Sequence, residues 1–236
     1  MSYYQKYADA LKEINKIEDK ILTAEDPVEY DVPGVNQVQI NEKVGMTFAS
    51  GLRSILRQDP DVIAVGEIRD SETAQIAVRS SITGHLVLST LHTNDAISAV
   101  MRLSDMGIEK YMVTSALTGV VAQRLLKRVC PECSREHIIT EEEAEMTGLP
   151  VGTVTKVGRG CLSCGNTGYA GRIAIYEFVL VTKELRKAII SGATQDELLQ
   201  IAKGQGMISL KDSCKDLLLN GITSVKEAVR IIYAKE

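Results

Sequence analysis

Residues 61–70 read DVIAVGEIRD, and the reading of these ten decides the fold. Val62 to Val65 form an apolar run short enough for a buried strand, and Glu67 emerges just beyond it, with Arg69 and Asp70 behind. Helical periods bracket the run. Before it, MTFASGLRSILRQ at 46–58 has Thr47 as its cap and DPD at 59–61 as its breaker; after it, a helix is expected over about 71–82, starting at Ser71. The pattern repeats outward on both sides. KILTAEDP predicts a short strand closed by Asp26 and Pro27, HLVLSTLHT after Gly84 another strand, and NDAISAVMRLSDMG a helix opened by Asn94 and closed by Gly107. Tyr7, Ala8, Ala10, Leu11 and Ile14 add a helix over 5–14. Strands alternating with helices of this length predict an α/β fold with a mostly parallel sheet.

Ligands of such sheets sit beyond the carboxyl ends of the strands. Glu25, Asp26 and Glu29 follow one strand, Glu67 and Arg69 a second, and His92, Thr93 and Asn94 a third, so polar groups from three segments converge on one edge. A carboxylate ending a buried strand costs free energy unless a cation or donor satisfies it, and Mg²⁺ beside a triphosphate is a natural partner. A second acid within reach can orient or deprotonate an attacking water, although spacing does not say which acid does which. The plainer alternative, an exposed strand-end acid, is weakened by the three further acids in EDPVEY. His85 and His92 flank HLVLSTLH and face opposite sides of a regular strand, so a shared metal is not expected. Each either donates to phosphate or satisfies a core carbonyl, and taken alone the core is favoured. Arg53 and Arg57 share a helix face, as solvated side chains or as an anion clamp.

From about residue 126 the chain changes character and becomes rich in Cys, Gly, Pro and charge. Cys130 and Cys133, then 27 residues, then Cys161 and Cys164 make two C-x2-C pairs, each suited to clamp one edge of a tetrahedral zinc ion. With cysteine at all four positions no ligand place stays open, which predicts a structural rather than catalytic zinc. Four inert buried thiols are the alternative. Cys214 sits in a helical period and is expected in the core. RIAIYEFVLVT alternates like a strand, and 183–236 reads as helices, the last opened by Ser224 with Glu227 as a capping box. Three parts are expected: 1–125, a four-cysteine zinc-binding subdomain at 126–171, and a strand with a helical region at 172–236.

The 236 residues are 44% hydrophobic and 25% charged, which suits a globular chain, and the formal charge of −4 gives no global reason to bind nucleic acid. Arg124, Lys127, Arg128 and Arg135 make a local basic patch without aromatic interleaving, weak evidence for a nucleic-acid partner. No stretch approaches the ~18 apolar residues of a membrane span, and the polar N-terminus lacks a signal core, so a cytoplasmic protein is expected.

Taken together these stretches are specific. ILTAEDPVEY resembles the acidic box of the secretion and pilus motor ATPases, LRSILRQDPDVIAVGEIRD their Walker B segment, and TGHLVLSTLHTND their histidine box. AQRLLKRVCPECS with GCLSCGNTGYAGRIAIYEF is similar to the four-cysteine insert of the type II secretion and type IV pilus assembly ATPases. The resemblance runs from about residue 8 onward in the family's order. It implies a RecA-like ATPase core, a homo-hexamer and hydrolysis of ATP with Mg²⁺. It also implies attachment through adaptors to an inner-membrane platform, for secretion or pilus assembly. By position, Glu29 would activate water, Glu67 would support Mg²⁺, His85 and His92 would face the γ-phosphate, and Arg69 would tie in the Glu67 loop, with Glu25 and Asp26 as further site support. Arg53 and Arg57 match a basic helix of that family, and Gly66 stands where many P-loop enzymes have aspartate. No G-x-x-x-x-G-K-[ST] occurs in these residues, and in the family that loop comes just before the helix matched by KYADALKEIN. The expectation is an incomplete P-loop core, inactive by itself. A non-catalytic, zinc-stabilised scaffold is the competing reading.

Overall fold

The computed structural model describes residues 3–233 and divides them into two compact units. The expected helical tail reaches 236, and its last three residues lie outside the described range, as do the side chains of Tyr7 and Ala8. The first unit comprises 1–93, 97–118 and 181–198. It opens with helix α1 (Tyr3–Ile14), followed by strand β1 (Ile21–Glu25), strand β2 (Asn36–Gln39), helix α2 (Phe48–Ile55) and strand β3 (Val62–Val65). Helix α3 (Ser71–Ile82), strand β4 (Leu86–Ser89), helix α4 (Ala96–Asp105) and helix α5 (Lys110–Ala116) come next. The four strands form one parallel sheet in the order β2-β1-β3-β4.

All residues of β1 and β3 are buried, as expected of central strands in a parallel sheet. Leu11, Ile21, Val32, Val62 and Ala64 form a core cluster there. Thr47 caps α2 and makes a reciprocal box with Ser50, while a 3-10 turn at Leu56–Gln58 replaces the expected last helical turn. Asp70 caps α3 by accepting from the Thr73 amide and hydroxyl at 2.8 and 2.9 Å. β2 is an addition to the sequence reading: NQVQ carries almost no apolar signal and is recruited at the sheet edge through register with β1.

The second unit holds 94–96, 119–180 and 199–236. Strand β5 (Gly119–Val129) and, further on, strand β8 (Tyr169–Leu180) pair antiparallel, and between them lie strand β6 (Ser134–Ile138), helix α6 (Glu141–Thr147) and strand β7 (Val154–Gly158). β5 runs through residues 125 and 126 and β8 through 171 and 172, so both expected boundaries fall inside strands. Helix α7 (Lys183–Ser191) belongs to the first unit and helix α8 (Gln195–Gly204) is divided between the two after residue 198, while α9 (Leu210–Leu219) and α10 (Val225–Ile232) complete the second. Cys214 is fully buried in the cluster with Leu126, Ile139 and Leu218.

Two buried acids organise this unit. The Glu177 oxygens on β8 accept the amides of Ala96 and Leu210 at 2.9 and 3.2 Å, both first residues of helices whose leading amides have no partner inside the helix. At α10 the expected capping box is corrected by half: the Ser224 hydroxyl accepts from the Glu227 amide, but the Glu227 carboxylate turns inward. It accepts from the Lys127 amide and from Arg230, both at 3.1 Å, because those donors stabilise a charge that is only 4% exposed.

Candidate functional site

Parallel pairing places the ends of β1, β3 and β4 side by side, and the loops leaving those ends carry the polar edge expected from the sequence. Gly66 turns out of β3 with its amide on the Ala24 carbonyl at 2.7 Å. A Cβ on Gly66 would come within 3.2 Å of that carbonyl oxygen and 3.6 Å of Phe48, so close backbone approach crowds any side chain at this position. The Thr90 hydroxyl donates to the Gly66 carbonyl at 2.7 Å and locks the loop after β4 to the loop after β3.

Glu67 is the centre of this edge. Its side chain is 12% exposed; one oxygen meets Arg69 at 2.5 Å and the other lies 3.1 Å from His92 Nε2. The Glu67 carboxylate, with Asp26 and Glu42 farther off, holds the Arg69 guanidinium proton more tightly than usual, against a smaller opposing effect of desolvation. Arg69 thus feels acids from three loops. Glu29 stands exposed on the loop after β1, and among the described residues it forms no hydrogen bond or ion pair.

Two expected members of the edge are placed elsewhere. Glu25 ends β1 at 6% exposure and accepts from the Thr23 hydroxyl at 2.6 Å and Gln37 Nε2 at 2.8 Å, so it is an internally satisfied acid. His85 precedes β4 and therefore lies at the amino end of the sheet, opposite the edge that holds His92. Its Nδ1 sits 3.0 Å from the Ser80 carbonyl and closes the turn from α3. Arg53 pairs with Glu72 at 2.5 Å on the surface, and Arg57 is exposed.

In the second unit the four thiols come together. The Sγ atoms of Cys130, Cys133, Cys161 and Cys164 lie within 4.8 Å of one another. The 130–161, 133–164 and 161–164 separations are 3.9, 3.9 and 3.7 Å. A tetrahedral ion with metal–sulfur bonds of about 2.3 Å requires sulfur edges of about 3.8 Å, so the donor set and its spacing fit such an ion. Amides already point inward: Gly160 donates to Cys133 Sγ, and Cys161 and Gly168 donate to Cys164 Sγ, each at 3.3 Å. Desolvation works against the Cys164 thiolate, but the Cys161 and Gly168 amides and the neighbouring thiols outweigh it and bring Cys164 down to about 6. The Cys164 amide favours the Cys161 thiolate, yet desolvation and the other three sulfurs prevail and push Cys161 up to about 11. Glycine is required where the knuckle crosses β7, since a Cβ on Gly158 would overlap the Gly168 carbonyl.

A parallel sheet with acids and a histidine gathered on its carboxyl edge, accompanied by a closed four-thiol centre, makes this an α/β protein with a candidate metal centre. The model of the family described as "Type II/IV secretion system protein" matches residues 6–230, and the chain belongs to that family. It is 50% identical over 224 residues to type II secretion system protein E of Dickeya dadantii, covering 94% of this chain and 44% of that protein. The type IV pilus assembly ATPase PilB of Thermus thermophilus is 47% identical over 223 residues, covering 93% of this chain and 25% of the relative. The chain therefore spans less than half the length of these relatives. Among solved structures, the pilus retraction motor PilT with bound ADP superposes with a TM-score of 0.68 at 27% identity, covering 95% of this chain and 56% of that one.

Proposed function

We propose that these residues form part of an ATP-hydrolysing hexameric motor that powers type II secretion or type IV pilus assembly. The observation that carries this reading is Glu67, at the carboxyl end of a buried parallel strand and joined to Arg69 and His92. Glu67 would hold Mg²⁺, which neutralises phosphate charge when bound. Arg69 orients that carboxylate, Asp26 adds negative potential beside it, and His92, whose Nε2 lies 3.1 Å from Glu67, would contact the γ-phosphate side. Glu29, unengaged on its loop, is the base for the attacking water. Glu25 supports the edge from within the fold through Thr23 and Gln37, whereas His85, at the other end of the sheet, closes the turn after α3 and takes no part in the site. Cys130, Cys133, Cys161 and Cys164 hold a structural zinc, expected at one per chain by elemental analysis.

The residues 1–236 contain no G-x-x-x-x-G-K-[ST], so in the motor reading the amides and lysine that cradle the β- and γ-phosphates would come from residues outside these 236. These residues alone are then inactive. No helix among the described residues is long and apolar enough to cross a membrane. As a member of the secretion and pilus motors, the protein would dock from the cytoplasmic side onto an inner-membrane platform through adaptor proteins. The closed four-thiol centre also supports a second reading, a non-catalytic scaffold. ATP hydrolysis with Mg²⁺, measured on this chain and on a form that includes a phosphate-binding loop, separates the two. Activity only in the longer form, lost on Glu29→Gln, supports the motor; no activity in either supports the scaffold.

A further inference from the structure

The loop from Asp26 to Val35 carries Glu29, and a single side chain from β2 governs it. Gln37 spends its whole amide there. Its Oε1 accepts from the Val32 amide at 2.7 Å, and its Nε2 donates to the Tyr30 carbonyl at 2.9 Å and to Glu25 Oε1 at 2.8 Å. Thr23, fully buried in β1, fixes that same Glu25 oxygen from the other side at 2.6 Å. A carboxylate only 6% exposed keeps its partners in a narrow geometry, because every lost donor leaves a charge unsatisfied. The chain Thr23, Glu25, Gln37 therefore transmits the rigid position of β1 to the backbone at 30–32. Val32 inserts into the core at 1% exposure and Asn15 donates to the Pro33 carbonyl at 2.8 Å, so the far side of the loop is held independently.

We infer that Gln37 is a positioning residue: it fixes the backbone next to Glu29 and so sets where that carboxylate stands at the end of β1. This deepens the proposed function and rests on its assignment of Glu29 as the base. Gln37 pairs with Thr23 across β1 and β2, so its amide is delivered beside Glu25 by the sheet itself.

Gln37→Leu removes all three bonds while keeping the volume. Amide hydrogen exchange on the 236-residue chain is expected to show Val32 and its neighbours at 29–31 exchanging at least tenfold faster, with β3 protection kept. In a form that hydrolyses ATP, kcat is expected to fall at least tenfold with KM within twofold, since the loop misplaces the base without touching the nucleotide. Adding Glu25→Leu restores thermal stability by removing the orphaned acid, while Val32 exchange and kcat stay altered. Unchanged Val32 exchange in Gln37→Leu, or recovery of kcat together with stability in the double variant, overturns the inference. Fast exchange with unchanged kcat leaves the positioning of the loop intact and removes Glu29 as the base.

Discussion

The edge around Glu67 and the centre around Cys164 gather ionisable side chains in opposite ways. The thiol centre is closed: four like donors, three inward amides and a glycine crossing leave an ion no open coordination place. The edge is open: an acid 12% exposed shares a loop junction with an arginine and a histidine that are 61% and 78% exposed. Closure by identical donors suits a stabilising ion, whereas mixed acids and bases at an open edge suit the chemistry proposed for it. Substitutions should therefore split cleanly, with fold lost at one region and turnover lost at the other.

The largest effect should follow metal removal. Structural zinc contributes on the order of 10 kcal/mol to small domains, so Cys133→Ala or chelation should unfold the 119–180 region, read as lost amide protection there. Survival of that protection would make the thiol centre incidental. Next, Gly158→Ala should cost about 3 kcal/mol in denaturant unfolding, because the new Cβ meets the Gly168 carbonyl with backbone on both sides.

A smaller effect belongs to α6. Thr140→Ala should cost about 1 kcal/mol through the lost cap. Desolvation raises the Glu143 carboxyl, but the Thr140 amide and His137 overcome it and hold Glu143 below the usual range. Its contribution is therefore complete above the ordinary carboxylate pKa and fades as pH falls through the depressed value. The stability gap between wild type and Glu143→Gln should narrow as pH falls through that acid window. Smallest of all, Arg53→Ala should change stability by less than about 0.5 kcal/mol, as the pair with Glu72 is exposed on both sides. A large loss of turnover in that variant would instead make Arg53 an anion clamp.

The two regions also differ in how far they can be read from sequence. The thiol centre is legible because its ligands are chemically identical and come in fixed spacings, which survive the intervening β6, α6 and β7. The strand β3 and its acid are legible because a buried parallel strand is a continuous apolar run. Glu25 and His85 share the composition of the edge, but strand direction sends His85 to the other end and burial turns Glu25 inward. β2 and Gln37 carry no periodic signal, since a polar strand acquires its place from register with β1. Glu177 and Glu227 look like surface acids until distant amides meet them.

Glu67 is expected to serve turnover and not the fold. Glu67→Gln in an ATP-hydrolysing form of the protein, with its unfolding temperature measured in the same preparation, tests this most directly. Hydrolysis at least about a hundredfold slower, at an unfolding temperature within ~2 °C of wild type, is the result expected for a metal-supporting acid. Retained hydrolysis, or a loss of stability that accounts for the loss of activity, would contradict it.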